Sequence, residues 1–151
     1  MPAVDVDDQR QTHLGATVQL LLHGVADGFE GRADSSVQLR AHVRGVRDIL
    51  GRVASIIPLI AAASATDPET AAQWPAGPDP RYTVQHAAAK ALTSKPDAHP
   101  DVDTTRAADL LHGLLSPELY LIFVRDRGWS PDAWEEWACA ALTTHLCTDH
   151  G

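Results

Sequence analysis

Apolar side chains recur on a helical period through most of this chain, and most densely between Thr104 and Leu142. Ala107, Leu110, Leu111, Leu114, Leu115, Leu119, Ile122 and Phe123 follow at spacings of three, four and seven, the stripe of an amphipathic helix. Asp103 is placed to cap its start. Ser116-Pro117-Glu118 is a cap followed by a first-turn proline, which makes the segment one bent helix or two in series. A corner follows at residues 126–131. There Gly128 suits a left-handed stop, Ser130 an N-cap, and Pro131 the first turn of a closing helix. Trp134, Trp137, Ala138, Cys139, Ala141 and Leu142 give that last helix a broad apolar side.

The earlier part of the chain has the same character. From Gln9 to about Phe29, Leu14, Val18, Leu21, Leu22, Val25 and Phe29 share one helical face, followed by a linker of small and charged residues. A helix is predicted from Ser36 to about Ala54 on the stripe Leu39, Val43, Val46, Leu50 and Val53. Its other side carries Arg40, Arg44 and Arg47, read as a solvated face or, less often, as an anion contact. Residues 56–65 continue apolar, with Pro58 starting a new helix or kinking the old one. Asp67-Pro68-Glu69 opens a short helix ending near Trp74. Residues 75–80 read as a loop, 81–92 as a helix, and 94–103 as the longest break. The pattern predicts an all-α, single-domain bundle of about six or seven helices.

Composition agrees, because alanine and leucine dominate and aromatics make up only 5% of the 151 residues. Acidic side chains outnumber basic ones 20 to 12, for a formal charge of −8. Only residues 37–66 are basic, with four arginines against Asp48. Residues 1–36 hold six acids against Arg10 and Arg32, a poor surface for DNA phosphates. Cys139 and Cys147 lie eight apart on one predicted helix, roughly 12 Å along its axis and too far for a disulfide. The absence of a signal-like opening or an unbroken apolar span leads to the expectation of a reduced, cytoplasmic protein away from membranes.

The words SPELY and RGWSPDAWEEW, at this separation, resemble the C-terminal domain of TetR-family transcriptional regulators. The likeness extends over about residues 37–146 and is most specific over 104–137. It implies a domain boundary near residue 36, with a TetR-like bundle over 37–148. In that family this domain encloses a small-molecule pocket, and its last two helices pair with those of a second copy. Carried onto this chain, the resemblance implies a homodimer through Leu111, Leu114, Trp134, Trp137, Ala141 and Leu142. It also implies a pocket for a small hydrophobic effector, with Ile49, Val53, Ile57, Trp74 and Leu115 as apolar wall. His86, His112 and Tyr120 are its polar contacts in that reading, or otherwise ordinary buried polar groups.

Two departures stand against the match. The family's helix-turn-helix is not found in residues 1–36, so direct DNA binding by this chain is not expected. The expectation is a regulator's sensing and dimerisation domain without its DNA-binding module. The alternative is a stand-alone helical module that binds a hydrophobic ligand or titrates an intact regulator. His112 also stands where this branch usually has tryptophan. No phosphate loop, nucleophile elbow or CxxC pair is found, so neither an enzyme nor a cofactor is expected. His145, Cys147, Asp149 and His150 form the densest group of possible metal ligands, but helical geometry points them apart and favours a polar tail. His23 and Asp27 read as a surface pair.

Overall fold

The computed structural model describes residues 34–69 and 79–148. The predicted helix over 9–29, the His23–Asp27 pair, Trp74, Asp149 and His150 lie outside them. Within the described residues the protein is all-α. Five helices have ten or more residues: α1 (Ser35–Val53), α2 (Ile57–Thr66), α3 (Pro80–Thr93), α4 (Thr104–Leu114) and α6 (Pro131–Leu146). The short α5 (Pro117–Leu121) follows α4 and runs into a π-helical turn at Ile122–Asp126.

Caps set most of these boundaries. Asp34, Asp79, Asp103, Ser116 and Ser130 each accept a first-turn backbone N–H, satisfying a donor that the helix leaves open. Pro58, Pro80, Pro117 and Pro131 occupy first-turn positions, where a missing N–H costs nothing. Of the alternatives at Pro58 and Pro117, both resolve to a new helix rather than a kink. Pro80 belongs to α3, because Asp79 caps there and also holds the Arg81 guanidinium. Gly128 has φ +74°, and beyond it the Trp129 N–H returns to the Phe123 carbonyl at 2.9 Å. This closes the widened last turn that leads out of α5.

The core lies among α1, α3, α4, α5 and α6. Leu39, Val43, Val46 and Leu50 of α1 meet Ala88, Ala89 and Leu92 of α3 and Ala107, Ala108 and Leu111 of α4 in one buried cluster. Trp134, Ala138, Leu142 and Leu146 of α6 complete it. Alanines on α3 and α4 let those two helices approach closely. By length and composition the run Thr104–Asp126 is long and apolar enough to cross a membrane, although charged residues interrupt it. In the fold its Leu111, Leu115, Tyr120 and Leu121 are core residues.

The break at 94–103 ties the bundle together. Ala98 forms an isolated antiparallel bridge with Cys147, and His99 N–H donates to the Leu146 carbonyl at 2.9 Å. The Asp97 carboxylate accepts the Ser35 N–H at 2.9 Å and its hydroxyl at 2.6 Å, pinning the start of α1 to the end of α6. Burial alone would raise the Asp97 pKa, but these hydrogen bonds outweigh it and hold the carboxyl below its ordinary value. Both cysteines are free and buried, as their spacing requires.

The arginine face of α1 differs from a simple solvated surface. Arg47 bonds Glu135 at 3.0 Å and Asp132 at 2.7 Å, and Arg44 reaches Glu135 at 3.3 Å. These pairs cross-link α1 to the first turns of α6. Arg40 makes no ion pair among the described residues.

Candidate functional site

Where α1 meets α2, α3 and α4, apolar side chains leave a cleft of about 40 Å3. Ile49 and Val53 on α1, Ile57 on α2, and His112 and Leu115 at the end of α4 all line it. Five of the eight residues expected to form a pocket thus converge, although they come from three separate helices. Helical period places Ile49 and Val53 one turn apart on one flank of α1, beside the core stripe. Ile57, the first residue of α2, lines the same cleft. The volume is room for about one water molecule, against ~300 Å3 or more for a drug-sized ligand site.

The polar end of the cleft is an ordered cluster. Arg81 lines the cleft, donates to Asp79 at 3.0 Å and approaches Glu118 at 3.8 Å. His112 Nε2 lies 3.9 Å from Asp79, and its ring meets Tyr82 edge-on with centroids 5.5 Å apart. Tyr82 in turn donates to Asp109 at 3.1 Å. Burial pushes the Asp79 pKa up, but hydrogen bonds and charge from Arg81, with a smaller contribution from His112, bring it below the ordinary carboxylate value. The arrangement presents a guanidinium, an imidazole and the amide of Gln85 around an apolar slot. It can orient a small molecule by hydrogen bonding once the walls part.

Two other expected pocket residues, His86 and Tyr120, sit elsewhere. His86 stacks loosely near Tyr82, with centroids 6.2 Å apart, and is not part of the lining. Tyr120 is a core residue set edge-on against Trp134 at 5.0 Å, so its ring faces the bundle interior rather than the cleft. Trp74 lies outside the described residues. Sequence reasoning overlooked Arg81, Asp79 and Gln85, although Asp79 before Pro80 carries a readable helix-start signal. It also missed His42. That imidazole is 1% exposed, with Nε2–H donating to Gln85 Oε1 at 2.7 Å, and burial lowers its pKa from 6.5 to about 4.

The expected dimer residues divide into two sets. Leu111, Trp134 and Leu142 are 0% exposed within the single chain, so they cannot form a surface for a second copy. The reason is that α6 turns Trp134 inward against Tyr120, and α4 and α6 pack on each other along their Leu111 and Leu142 faces. Leu114, Trp137 and Ala141 are half-buried and remain at the edge of the core. Beside Trp137 the corner gathers a second aromatic group. Phe123 stacks within 4.5 Å of Trp129 and 4.9 Å of Trp137, and Trp129 meets Trp137 edge-on at 6.4 Å. Trp129 is 36% and Ile122 47% exposed, so this cluster leaves an apolar surface where α5 turns into α6.

Among the described residues no group of three or more histidine, cysteine or acidic side chains is placed to hold a metal. Cys147 instead faces Ser35, with its sulfur 3.2 Å from the hydroxyl oxygen that donates to Asp97. No protein-family model, curated protein or solved structure matches this chain.

Proposed function

We propose that this chain is the effector-sensing and dimerisation domain of a TetR-like transcriptional regulator. The observation that carries this reading is the aromatic surface of Phe123, Trp129 and Trp137, flanked by exposed Ile122, at the corner that leads into α6. Ring systems of this size are costly to leave against water, and interfaces concentrate their energy in such residues. The cleft of Ile49, Val53, Ile57 and Leu115, with His112 and Arg81 at its polar end, is the effector site in this reading. An effector larger than water must separate α1 from α2 to enter, so binding selects an opened arrangement of helices. In a regulator that shift is what reaches the DNA-binding part.

Native mass spectrometry of the full chain, with Trp129→Asp and Trp137→Asp beside it, tests the proposal. The expected result is a dimer for the unaltered protein and monomers for both variants, with helical circular dichroism retained. A wild-type monomer at tens of micromolar, or two variants that remain dimeric, would overturn it.

A further inference from the structure

Among the polar side chains that line the cleft, Gln85 is the one the fold encloses, at 4% exposure. The two ends of its carboxamide are differently placed. The oxygen is held from behind by the buried His42, whose Nε2–H donates to it at 2.7 Å. That leaves the –NH2 end toward the cleft, where it has no acceptor among the described residues. An enclosed amide N–H without an acceptor is costly, so this position favours a ligand that brings one. Ser116, also in the lining, accepts the Leu119 N–H at 3.2 Å on its oxygen, and its O–H can donate as well.

Charge narrows the class further. Arg81 is already paired with Asp79 at 3.0 Å and approaches Glu118 at 3.8 Å, while Asp109 accepts from Tyr82 beside His112. A ligand carboxylate would enter next to these acids without an unpaired cation to meet it. A ligand ammonium would lose its water against Ile49, Leu50 and Val53 with Arg81 close by. An alcohol would add an O–H beside groups that donate. The wall able to yield to a larger molecule is α2, which brings Ile57 to the cleft. Its start has no side-chain cap, and Leu59 on it is 69% exposed.

We infer that the effector of this cleft is an uncharged, mainly apolar molecule with a carbonyl oxygen. That oxygen accepts from the Gln85 carboxamide, and the hydrocarbon part lies against Ile49, Val53 and Ile57. The inference rests on the reading of the cleft as the effector site and adds the chemical class of the ligand.

Nuclear magnetic resonance titration of the isotope-labelled full chain tests it, with cyclohexanone, cyclohexanol and cyclohexanecarboxylate as probes of one ring size. Cyclohexanone is expected to bind about tenfold tighter than the other two and to move the Gln85 side-chain amide signals. Gln85→Glu keeps an oxygen for His42 but has no N–H, and is expected to lose that preference. Val53→Trp narrows the slot and is expected to weaken all three probes. Equal binding of the three in the cleft, or tighter binding of the alcohol or the acid, would overturn the carbonyl inference and leave the effector-site reading standing. A ketone preference that survives in Gln85→Glu, or tight binding that survives in Val53→Trp, would overturn it too. No binding by any probe at millimolar concentration would remove the effector-site reading itself, and the inference with it. The wild-type ranking decides the matter even where a variant fails to fold.

Discussion

His42 makes the stability of this bundle depend on pH in a window set by its burial. The imidazole is enclosed by the core and held neutral, with its pKa lowered from 6.5 to about 4 mainly by desolvation, against a smaller opposing effect of the Gln85 hydrogen bond. In the unfolded chain it titrates near 6.5. Between pH 6.5 and 4 the unfolded state therefore binds a proton that the folded state refuses, and stability falls as pH falls. At about 1.4 kcal/mol per pH unit, the loss from this one residue reaches about 3 kcal/mol by pH 4. Asp79 and Asp97 have lowered values, so their contribution is present above 3.8 and is lost only below it, outside this window. Urea unfolding of wild type and His42→Gln at pH 7.5, 6.0 and 4.5 measures the effect. Glutamine retains a donor for Gln85 without a titrating ring. The wild-type curve is expected to drop by ~2–3 kcal/mol more than the variant's across that range. Two curves that stay parallel would refute the reasoning.

Trp134→Ala empties the core beneath Tyr120 and is expected to cost about 3–5 kcal/mol, read as a lowered urea midpoint; a cost under 1 kcal/mol would mean that Trp134 is not packed as described. Glu135→Ala removes the carboxylate shared by Arg44 and Arg47 and is expected to cost about 1–2 kcal/mol, with the deficit narrowing in high salt. Gly128→Ala meets no atom within 4 Å, so its cost is the strain of φ +74° alone, about 1–2 kcal/mol by thermal unfolding. A neutral outcome there would place residue 128 outside the left-handed region.

Signals that act over a few residues were legible in advance. The stops and starts at Asp103, Ser116, Gly128 and Ser130 are satisfied within a single turn of their own helix, so neighbouring residues suffice to read them. The apolar stripe of α1 likewise named its buried face, Leu39, Val43, Val46 and Leu50, because a helix has one periodicity whatever it packs against. Ile49, Val53, Ile57, His112 and Leu115, which share a cleft, were named by the family resemblance and not by any period. Neither gives the cleft's volume, which is set by how side chains of separate helices meet.

Tertiary structure alone decided which side of a broad apolar helix faces its own core. Trp134 and Trp137 are nearly indistinguishable by period, three residues apart on α6. Only the position of Tyr120 across the bundle buries Trp134 completely, while Phe123 and Trp129 keep Trp137 at the edge. The polar contacts follow the same rule. Asp97 with Ser35 and His42 with Gln85 join residues 62 and 43 positions apart, and their meeting is set by helix packing rather than by any local preference.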